Sequence, residues 1–273
     1  MLVWACIAPH GGELIPELGD GYPERMAVTR KAMLSLGQRA TSYATESIIV
    51  YAPHGLCVDG YACVSITRTL TGHVSGDDGA RVSAEFNVDF DLATQICAIS
   101  ADTSIPTIEA AYQKNGERAD TMELDWGALV PLWFMGAAWH PKPKIVTICP
   151  SRLLSRKQLI LLGRLTAQAA QMSPQRVAII CSADQGHGHG SDGPYGHSPT
   201  SLNYDMAYCR AIRDNALHRL LRWSDRWVNG ALPDSYWQTL ILYGAQMEAG
   251  LTPELLSYEA PTYFGMACAE FKR

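Results

Sequence analysis

The sequence has no cluster of basic residues and only a modest share of charge. Its 22 lysines and arginines are outnumbered by 27 aspartates and glutamates, so the net charge is −5, and charged residues make up 18% of the 273. Proteins that bind nucleic acid or anionic membranes usually do so through a basic patch. We therefore expect neither nucleic acid nor a membrane as the main partner.

Long apolar runs and paired cysteine motifs are also missing. No run reaches the roughly 18–20 apolar residues that a membrane-spanning helix needs, and the first ten residues lack the basic segment that opens a signal peptide. The eight cysteines are scattered without a CxxC pair, which argues against a disulfide framework or a zinc ribbon. Cys6, Cys149 and Cys181 lie in apolar runs, as buried thiols do. These features predict a cytoplasmic protein.

The chain contains no linker rich in proline, glycine or serine and no repeat, so we expect one domain over residues 1–273. Strand patterns cover residues 2–8, 47–51, 61–67, 82–88, 144–149, 177–181, 255–258 and 263–271. Helical patterns cover residues 23–39, 90–101, 154–172, 201–229 and 233–248, while residues 11–22 and 182–200 look like loops. The alternation predicts an α/β fold with a mixed, mostly parallel sheet and helices on both faces.

A strand-like run is followed by Ala-Pro-His-Gly twice, at residues 8–11 and 52–55. Proline has no N–H for the strand ladder, and glycine allows the backbone to turn sharply. We expect His10 and His54 just past the carboxyl ends of two buried strands, where ligands bind in open α/β sheets. Two imidazoles at one edge can share a metal ion. Each histidine could instead only cap its strand, but the repetition favours a shared site.

A third buried strand leads into a long polar loop that contains His187, His189 and His197. Loops of this length inside a domain are usually functional or disordered. His187 is the first histidine after the strand and is the candidate general base, because imidazole exchanges a proton near neutral pH. The alternative is a solvated loop histidine. His187 and His189 flank one residue, so a metal-binding pair is a weaker interpretation.

Two histidines that share a metal could be joined by a carboxylate. Two histidines and one carboxylate are the ligands of redox-active iron sites, which leave positions open for a substrate and for dioxygen. The acidic candidates are Glu13, Asp125, Asp184, Asp234 and Glu259. Asp234 could instead cap a helix, Glu259 could end a strand, and Asp184 could hold the His187 loop. Spacing along the chain leaves all five open.

Several short motifs occur in an order that resembles the class III extradiol ring-cleavage dioxygenases. This superfamily includes the catalytic subunit of protocatechuate 4,5-dioxygenase, 2-aminophenol 1,6-dioxygenase and the Memo-like proteins. The motifs are Ala-Pro-His-Gly at 8–11 and 52–55, Leu-Asp-Trp-Gly-Ala-Leu-Val-Pro-Leu at 124–132, Ser-Ala-Asp-Gln-Gly-His at 182–187, Pro-Tyr-Gly-His-Ser-Pro at 194–199 and Leu-Leu-Ser-Tyr-Glu-Ala-Pro-Thr-Tyr-Phe-Gly-Met at 255–266. Their order and spacing extend over most of the chain.

The resemblance implies a non-haem Fe(II) enzyme that opens a catechol or aminophenol ring with dioxygen, and it favours a dimer or larger assembly. It matches His10 and His54 to the metal ligands and His187 to the acid/base residue. Counting back from the helix end at Gly244 favours Asp234 as the third ligand, with Glu259 as the alternative. Zinc or manganese could occupy the same ligands.

One motif departs from the family pattern, in which Asp-His-Gly often precedes Val-Pro-Leu. Here the phrase is Asp-Trp-Gly at residues 125–127, and an indole cannot transfer a proton as an imidazole does. The departure keeps open a second hypothesis, a Memo-like protein or non-catalytic subunit that binds metal or a partner without cleaving a ring. Trp126, Tyr195, Tyr258 and Tyr263 are expected in the pocket by motif position, or else in the core.

Overall fold

Runs of apolar and β-branched residues form most strands of the protein, whose computed structural model describes residues 1–19 and 24–273. In these ranges the strands are β1 (Leu2–Ala8), β2 (Ser47–Tyr51), β3 (Ala62–Ser65), β4 (Thr69–Ser75), β5 (Arg81–Asn87), β6 (Thr107–Ala110), β7 (Gln113–Lys114), β8 (Glu117–Arg118), β9 (Thr121–Glu123), β10 (Lys144–Pro150), β11 (Val177–Ser182), β12 (Thr252–Glu259) and β13 (Met266–Lys272). The α-helices there are α1 (Ala27–Ser42), α2 (Phe90–Ala101), α3 (Trp126–Leu132), α4 (Arg156–Met172), α5 (Pro199–Arg213), α6 (Asp225–Ala231) and α7 (Tyr236–Ala249).

Eight strands form the main sheet, in the order β12-β13-β1-β11-β2-β10-β3-β6. The four central strands β1, β11, β2 and β10 run parallel to one another, whereas β13 and β3 flank them in the antiparallel direction. This mixed, mostly parallel sheet confirms the predicted α/β class. Strands β5, β4 and β9 form a second, smaller sheet, and β7 pairs with β8.

The register of the central strands brings their carboxyl ends to one level. Cys181 on β11 lies opposite Ile7 of β1 on one side and Tyr51 of β2 on the other. Tyr51 in turn lies opposite Ile148 of β10. The residues that follow these four strands therefore emerge side by side at a single edge of the sheet.

Both faces of the sheet are covered, as the alternation of strands and helices predicted. On β2, the side chains of Ile49 and Tyr51 join a core with helices α2, α4, α5 and α7, while Ile48 and Val50 join a core on the other face with α1, α3 and the smaller sheet. Alternate residues of one strand thus serve two cores, which requires helices on both sides.

Helices α4 and α7 cross at an unusually short distance. A Cβ atom on Gly163 would lie 1.8 Å from the Ile241 carbonyl oxygen, and one on Gly244 would lie 2.0 Å from that of Ile160. Only glycine allows the two backbones to approach this closely. The crossing fixes α7, and with it the segment that immediately precedes this helix.

Several predicted boundaries are wrong for identifiable reasons. The helix predicted over 201–229 is broken into α5, a 3₁₀ turn at Leu217–Arg222 and α6, because Asn215 adopts a positive φ of 50° and Ser224 caps a new helix. Strand β4 was not predicted, because it carries a glycine and a histidine at its centre. Two 3₁₀ turns, Gly12–Leu14 and Pro16–Leu18, occupy part of the predicted loop 11–22.

Other expectations are met or fall partly outside the described ranges. The helix predicted over 90–101 coincides with α2, and the strand pair predicted at the end of the chain is β12 and β13 with longer bounds. The helix predicted from residue 23 begins at Ala27, and residue 23 lies outside the described residues. Cys6, Cys149 and Cys181 are buried, whereas Cys57 is exposed. Within the described ranges, no helix has the length and apolarity needed to cross a membrane.

Candidate metal centre

Three neighbouring parallel strands each deliver a histidine to the same edge of the sheet. His10 follows β1, His54 follows β2, and His187 follows β11, which lies between the other two. His10 and His187 are buried, and His54 is partly exposed. The sheet therefore places the three predicted histidines around one cavity.

The two glycines of the repeated phrase have different roles. Gly55 has a φ of +100°, so the sharp turn predicted after the histidine does occur there and requires glycine. Gly11 has an ordinary φ of −58°. A Cβ on Gly11 would lie 2.9 Å from the Phe264 ring, so this glycine provides space rather than a turn.

The carboxylate comes from the opposite side of the cavity. Asp234 immediately precedes Ser235, which occupies the N-cap position of α7 and makes no side-chain capping hydrogen bond. Its N–H donates a hydrogen bond to the Asp184 carbonyl oxygen at 3.1 Å, which ties the segment to the loop after β11. The Asp234 side chain is therefore free of the helix-capping role considered from sequence, and it faces the histidines.

Three imidazoles converge on one oxygen of this carboxylate. The Oδ2 atom of Asp234 lies 3.4 Å from Nε2 of His54, 3.6 Å from Nε2 of His187 and 3.8 Å from Nε2 of His10. Donor atoms of His10, His54 and Asp234 all lie within 4.8 Å of one another. Ligands bound at about 2.0–2.2 Å to one ion are separated by roughly 3–3.5 Å. The 3.4 Å between Asp234 and His54 lies in this range, and the 3.8 Å between Asp234 and His10 would shorten slightly around a single divalent cation.

Hydrogen bonds fix the tautomers of the two buried histidines. The Ser182 hydroxyl donates to the Gly127 carbonyl oxygen, so it accepts from Nδ1 of His10 at 3.0 Å. Nδ1 of His187 donates to the Gln185 carbonyl oxygen at 2.8 Å. Both rings therefore direct an unprotonated Nε2 into the cavity, the form that can bind a metal or accept a proton.

Electrostatics keep Asp234 ionised. Burial raises the pKa of its carboxyl group, but the neighbouring imidazoles of His10, His54 and His187 more than offset this and lower it well below the ordinary value. Burial lowers the pKa of His10, and the carboxylates of Asp184 and Asp234 more than offset this, so the net shift is upward. For Asp184, burial raises the pKa of the carboxyl group. Asp234 is thus the anionic donor of the group.

Aromatic side chains form the walls of the cavity, which has a volume of about 250 Å³. Trp126 stacks on His54, with ring centroids 4.2 Å apart and planes at 23°. Phe264 stacks on His187 at 5.6 Å, and Tyr195 meets that ring edge to face at 5.8 Å. Of the expected pocket aromatics, Trp126, Tyr195 and Tyr263 line this cavity.

Three of the other carboxylate candidates have structural partners. Asp125 caps α3 by accepting from the N–H of Ala128 at 3.1 Å. Glu259 accepts from the N–H of Thr29 at 2.6 Å and lies outside the donor group. Asp184 accepts from the N–H of His10 at 2.9 Å, so it positions His10 as well as belonging to the His187 loop.

The remaining candidates have other surroundings. Glu13 lines the cavity and pairs with Arg25 at 3.4 Å. His189 and Tyr258 each hydrogen-bond to the buried Asp205 at 2.7 Å. Tyr258 packs against the core, which is the alternative that the sequence left open for it. His197 is exposed on its loop.

Ser182, Phe264 and Arg152 also belong to the site, although no sequence pattern had marked them as site residues. Ser182 orients His10, and Phe264 forms a wall of the cavity. Nη2 of Arg152 lies 2.7 Å from Oδ1 of Asp234. Arg152 follows β10, the fourth parallel strand, so the same rule that located His10 and His54 could have found it.

Residues 5–268 match the family model described as the catalytic LigB subunit of aromatic ring-opening dioxygenase. The chain belongs to this family. The match includes the three histidines and Asp234, and it confirms the resemblance to class III extradiol dioxygenases. The roles of individual residues within the site stay predictions.

Two relatives of this LigB-family chain add context. "Protein CA_C1420" of Clostridium acetobutylicum is 24% identical over 253 residues, which cover 93% of this chain and 54% of the relative. The chain thus spans about half the length of that relative. The crystal structure of the uncharacterized protein JW3007 from Escherichia coli K12 superposes with a TM-score of 0.64 at 14% identity, covering 98% of this chain and 99% of that one. This likeness concerns the fold alone.

Proposed function

We propose that the protein is a metal-dependent extradiol dioxygenase that opens the ring of a small catechol- or aminophenol-type aromatic with dioxygen. In this proposal His10, His54 and Asp234 hold a non-haem Fe(II), and His187 is the catalytic acid/base. The observation that carries the proposal is the convergence of three Nε2 atoms on Oδ2 of Asp234 within 3.4–3.8 Å. Membership of the LigB family supports it independently.

The donor set of two imidazoles and one carboxylate fits Fe(II), and zinc or manganese would accept the same atoms. When bound, Fe(II) would supply the redox and Lewis-acid chemistry that reaction with dioxygen requires. The protein contributes an ionised carboxylate and, at His10, an imidazole whose proton is held on Nδ1 by Ser182. Both donors are therefore already in the protonation state that binds a metal ion.

His187 is arranged to accept a proton from a substrate hydroxyl. Its Nδ1 is engaged with the Gln185 carbonyl oxygen, so only Nε2 can accept, and Nε2 faces the cavity. The imidazolium formed would lie 3.6 Å from Oδ2 of Asp234, whose negative charge stabilises it. The same nitrogen can later return the proton.

The aromatic walls suit a flat ring. Trp126, Tyr263 and Phe264 line a cavity of about 250 Å³, and aromatic rings pack well against such faces. Trp126 stands where many relatives have histidine, so proton transfer in this proposal depends on His187. This difference favours a substrate other than the usual catechols of the family.

Anaerobic reconstitution with Fe(II), followed by oxygen uptake and visible absorbance on a catechol and aminophenol panel, tests the proposal. We expect an iron-dependent yellow product that is lost in His10→Ala. Parallel samples loaded with zinc or manganese identify the metal that supports turnover. Stoichiometric iron without oxygen uptake on any substrate would contradict the proposed activity.

The second candidate, a Memo-like or non-catalytic protein that binds metal or a partner, is favoured by one observation. Trp126 is half exposed and stacks on His54, so an indole covers a proposed ligand where relatives place a proton-transferring imidazole. Binding of metal in both the wild-type chain and Trp126→His, with oxygen uptake only in Trp126→His, would support this candidate. Oxygen uptake by the wild-type chain would exclude it.

A further inference from the structure

A fourth parallel strand delivers a charged side chain to the edge where the histidines lie. Strand β10 pairs with β2, and the turn between β10 and α4 carries Arg152. That turn is well anchored: the N–H of Ser151 donates to the Tyr61 carbonyl oxygen at 2.8 Å, and Ser155 caps α4. Arg152 therefore extends from a fixed backbone toward the proposed metal centre.

The two oxygens of Asp234 have different partners. Oδ1 accepts a hydrogen bond from Nη2 of Arg152 at 2.7 Å, whereas Oδ2 faces the three histidine Nε2 atoms. With Oδ1 engaged outside the cavity, Oδ2 is the oxygen that remains for a metal. Because each oxygen has its own partner, the orientation of the Asp234 carboxylate plane is fixed.

The guanidinium of Arg152 is itself held in place. Its central carbon lies 4.4 Å from the centre of the Trp237 ring, and Trp237 belongs to the first turn of α7. A planar guanidinium can stack on an indole while its edge donates to a carboxylate, which an ammonium group cannot do in the same way. Both partners of Arg152 thus come from the segment at residues 234–237.

We propose that Arg152 is a positioning residue of the metal centre, which orients Asp234 so that Oδ2 points to the metal. The inference rests on the proposed function, because it assumes that Asp234 is a ligand. Residues that orient metal ligands typically contribute 10–100-fold to metal affinity. Half of the Arg152 side chain is exposed, so this ion pair contributes little to overall stability, and the expected effect is on the metal.

Titration of the metal-free chain with Co(II), followed by visible absorbance, tests this role without a substrate. We expect Arg152→Gln to weaken Co(II) binding by about 10–100-fold and to alter the absorption bands. Arg152→Lys keeps the charge but not the stacking, so it should recover part of the affinity. Trp237→Leu keeps both charges and should weaken binding less than Arg152→Gln does.

Arg156 is the matched control. It is the first residue of α4, shortly after the turn that carries Arg152, and it has its own ion pair and aromatic contact. Its ion pair is with Asp225 of α6 rather than with Asp234, and its guanidinium carbon lies 5.7 Å from the centre of the Tyr236 ring. Arg156→Gln should bind Co(II) like the wild-type chain. Circular dichroism and thermal melting show whether each variant folds, and Arg152→Lys and Trp237→Leu decide the question if Arg152→Gln does not.

The outcomes separate this inference from the proposed function. Wild-type affinity and spectrum in Arg152→Gln, with binding lost in Asp234→Asn, would overturn the role of Arg152 alone. Unchanged binding in Asp234→Asn and His10→Ala would overturn the metal centre and the inference together. Weakened binding in Arg152→Gln but not in Arg156→Gln would support both.

Discussion

The strand side and the helix side of the cavity hold their functional groups in different ways. On the strand side, His10, His54 and His187 follow strands that share one register in the middle of the sheet. On the helix side, Asp234 lies between α6 and α7 and depends on side-chain and loop contacts. A sheet edge positions its side chains through many backbone hydrogen bonds, whereas a helix junction needs specific partners.

The largest effect is expected from a substitution that removes the proposed proton acceptor on the strand side. His187→Ala should lower turnover by about 10²–10⁴-fold, the usual contribution of general acid–base catalysis, while Fe(II) binding is retained. The measurement is oxygen uptake with a confirmed substrate, alongside iron analysis. His197→Ala is the control, because this exposed histidine lies on the same loop. Wild-type turnover in His187→Ala would show that another group accepts the proton.

Ligand removal compares the two sides directly. His54→Ala on the strand side and Asp234→Asn on the helix side should each weaken metal binding by more than about 100-fold, since the loss of a ligand exceeds that of its supporting residues. Calorimetric titration with Co(II) measures both. His73→Ala, an exposed histidine on β4, should bind normally. A small effect of Asp234→Asn alone would mean that the helix side does not contribute a ligand.

The loop that carries His187 should depend on the buried Asp205. Its carboxylate accepts from the N–H of Gly186, from His189 and from Tyr258, each at 2.7 Å. Asp205→Asn cannot satisfy all three donors, and we expect it to lower the free energy of unfolding by about 3 kcal/mol. Denaturant unfolding measures this loss. The exposed Asp192→Asn is the control. If both substitutions lowered the free energy of unfolding equally, Asp205 would not be a specific support of this loop.

The smallest expected effect concerns the helix crossing that holds the helix side. Gly244→Ala places a Cβ against the Ile160 carbonyl oxygen, so α7 must shift, at a cost of about 1–3 kcal/mol. Metal affinity should fall as well, because Asp234 precedes α7. Gly230→Ala has room in α6 and should be neutral or slightly stabilising. Destabilisation with unchanged metal affinity would show that Asp234 is positioned independently of α7.

Local patterns were sufficient for the central parallel strands and for the histidines that follow β1 and β2. The phrase Ala-Pro-His-Gly predicted both histidines at a sheet edge, since an apolar run followed by proline marks a strand end wherever it occurs. Helix α2 was predicted to the residue. Strand β4 of the smaller sheet was missed, because its pairing partners are not visible in the sequence. The break between α5 and α6 was missed as well, because the positive φ of Asn215 leaves little trace there.

The choice among the five carboxylates shows where sequence reasoning ends. Family resemblance favoured Asp234 over Glu259, and the structure brings Asp234 beside His10 and His54, while Glu259 accepts from the N–H of Thr29. The pocket aromatics were predicted only in part, because Tyr258 lies on a strand face that turns away toward Asp205. Such differences depend on side-chain direction at positions distant in the chain.

The sequence by itself determined the α/β class, the family and the two histidines that follow β1 and β2, because each depends on short patterns read locally. Only the tertiary structure decided that the Asp234 carboxylate meets those histidines and that the Arg152 guanidinium binds this carboxylate. Asp234 and Arg152 are far apart in the sequence, and they meet because α7 packs against α4 and β10 lies beside β2. The end of β10 can be recognised in the sequence, but packing alone decides which side chain Arg152 meets there.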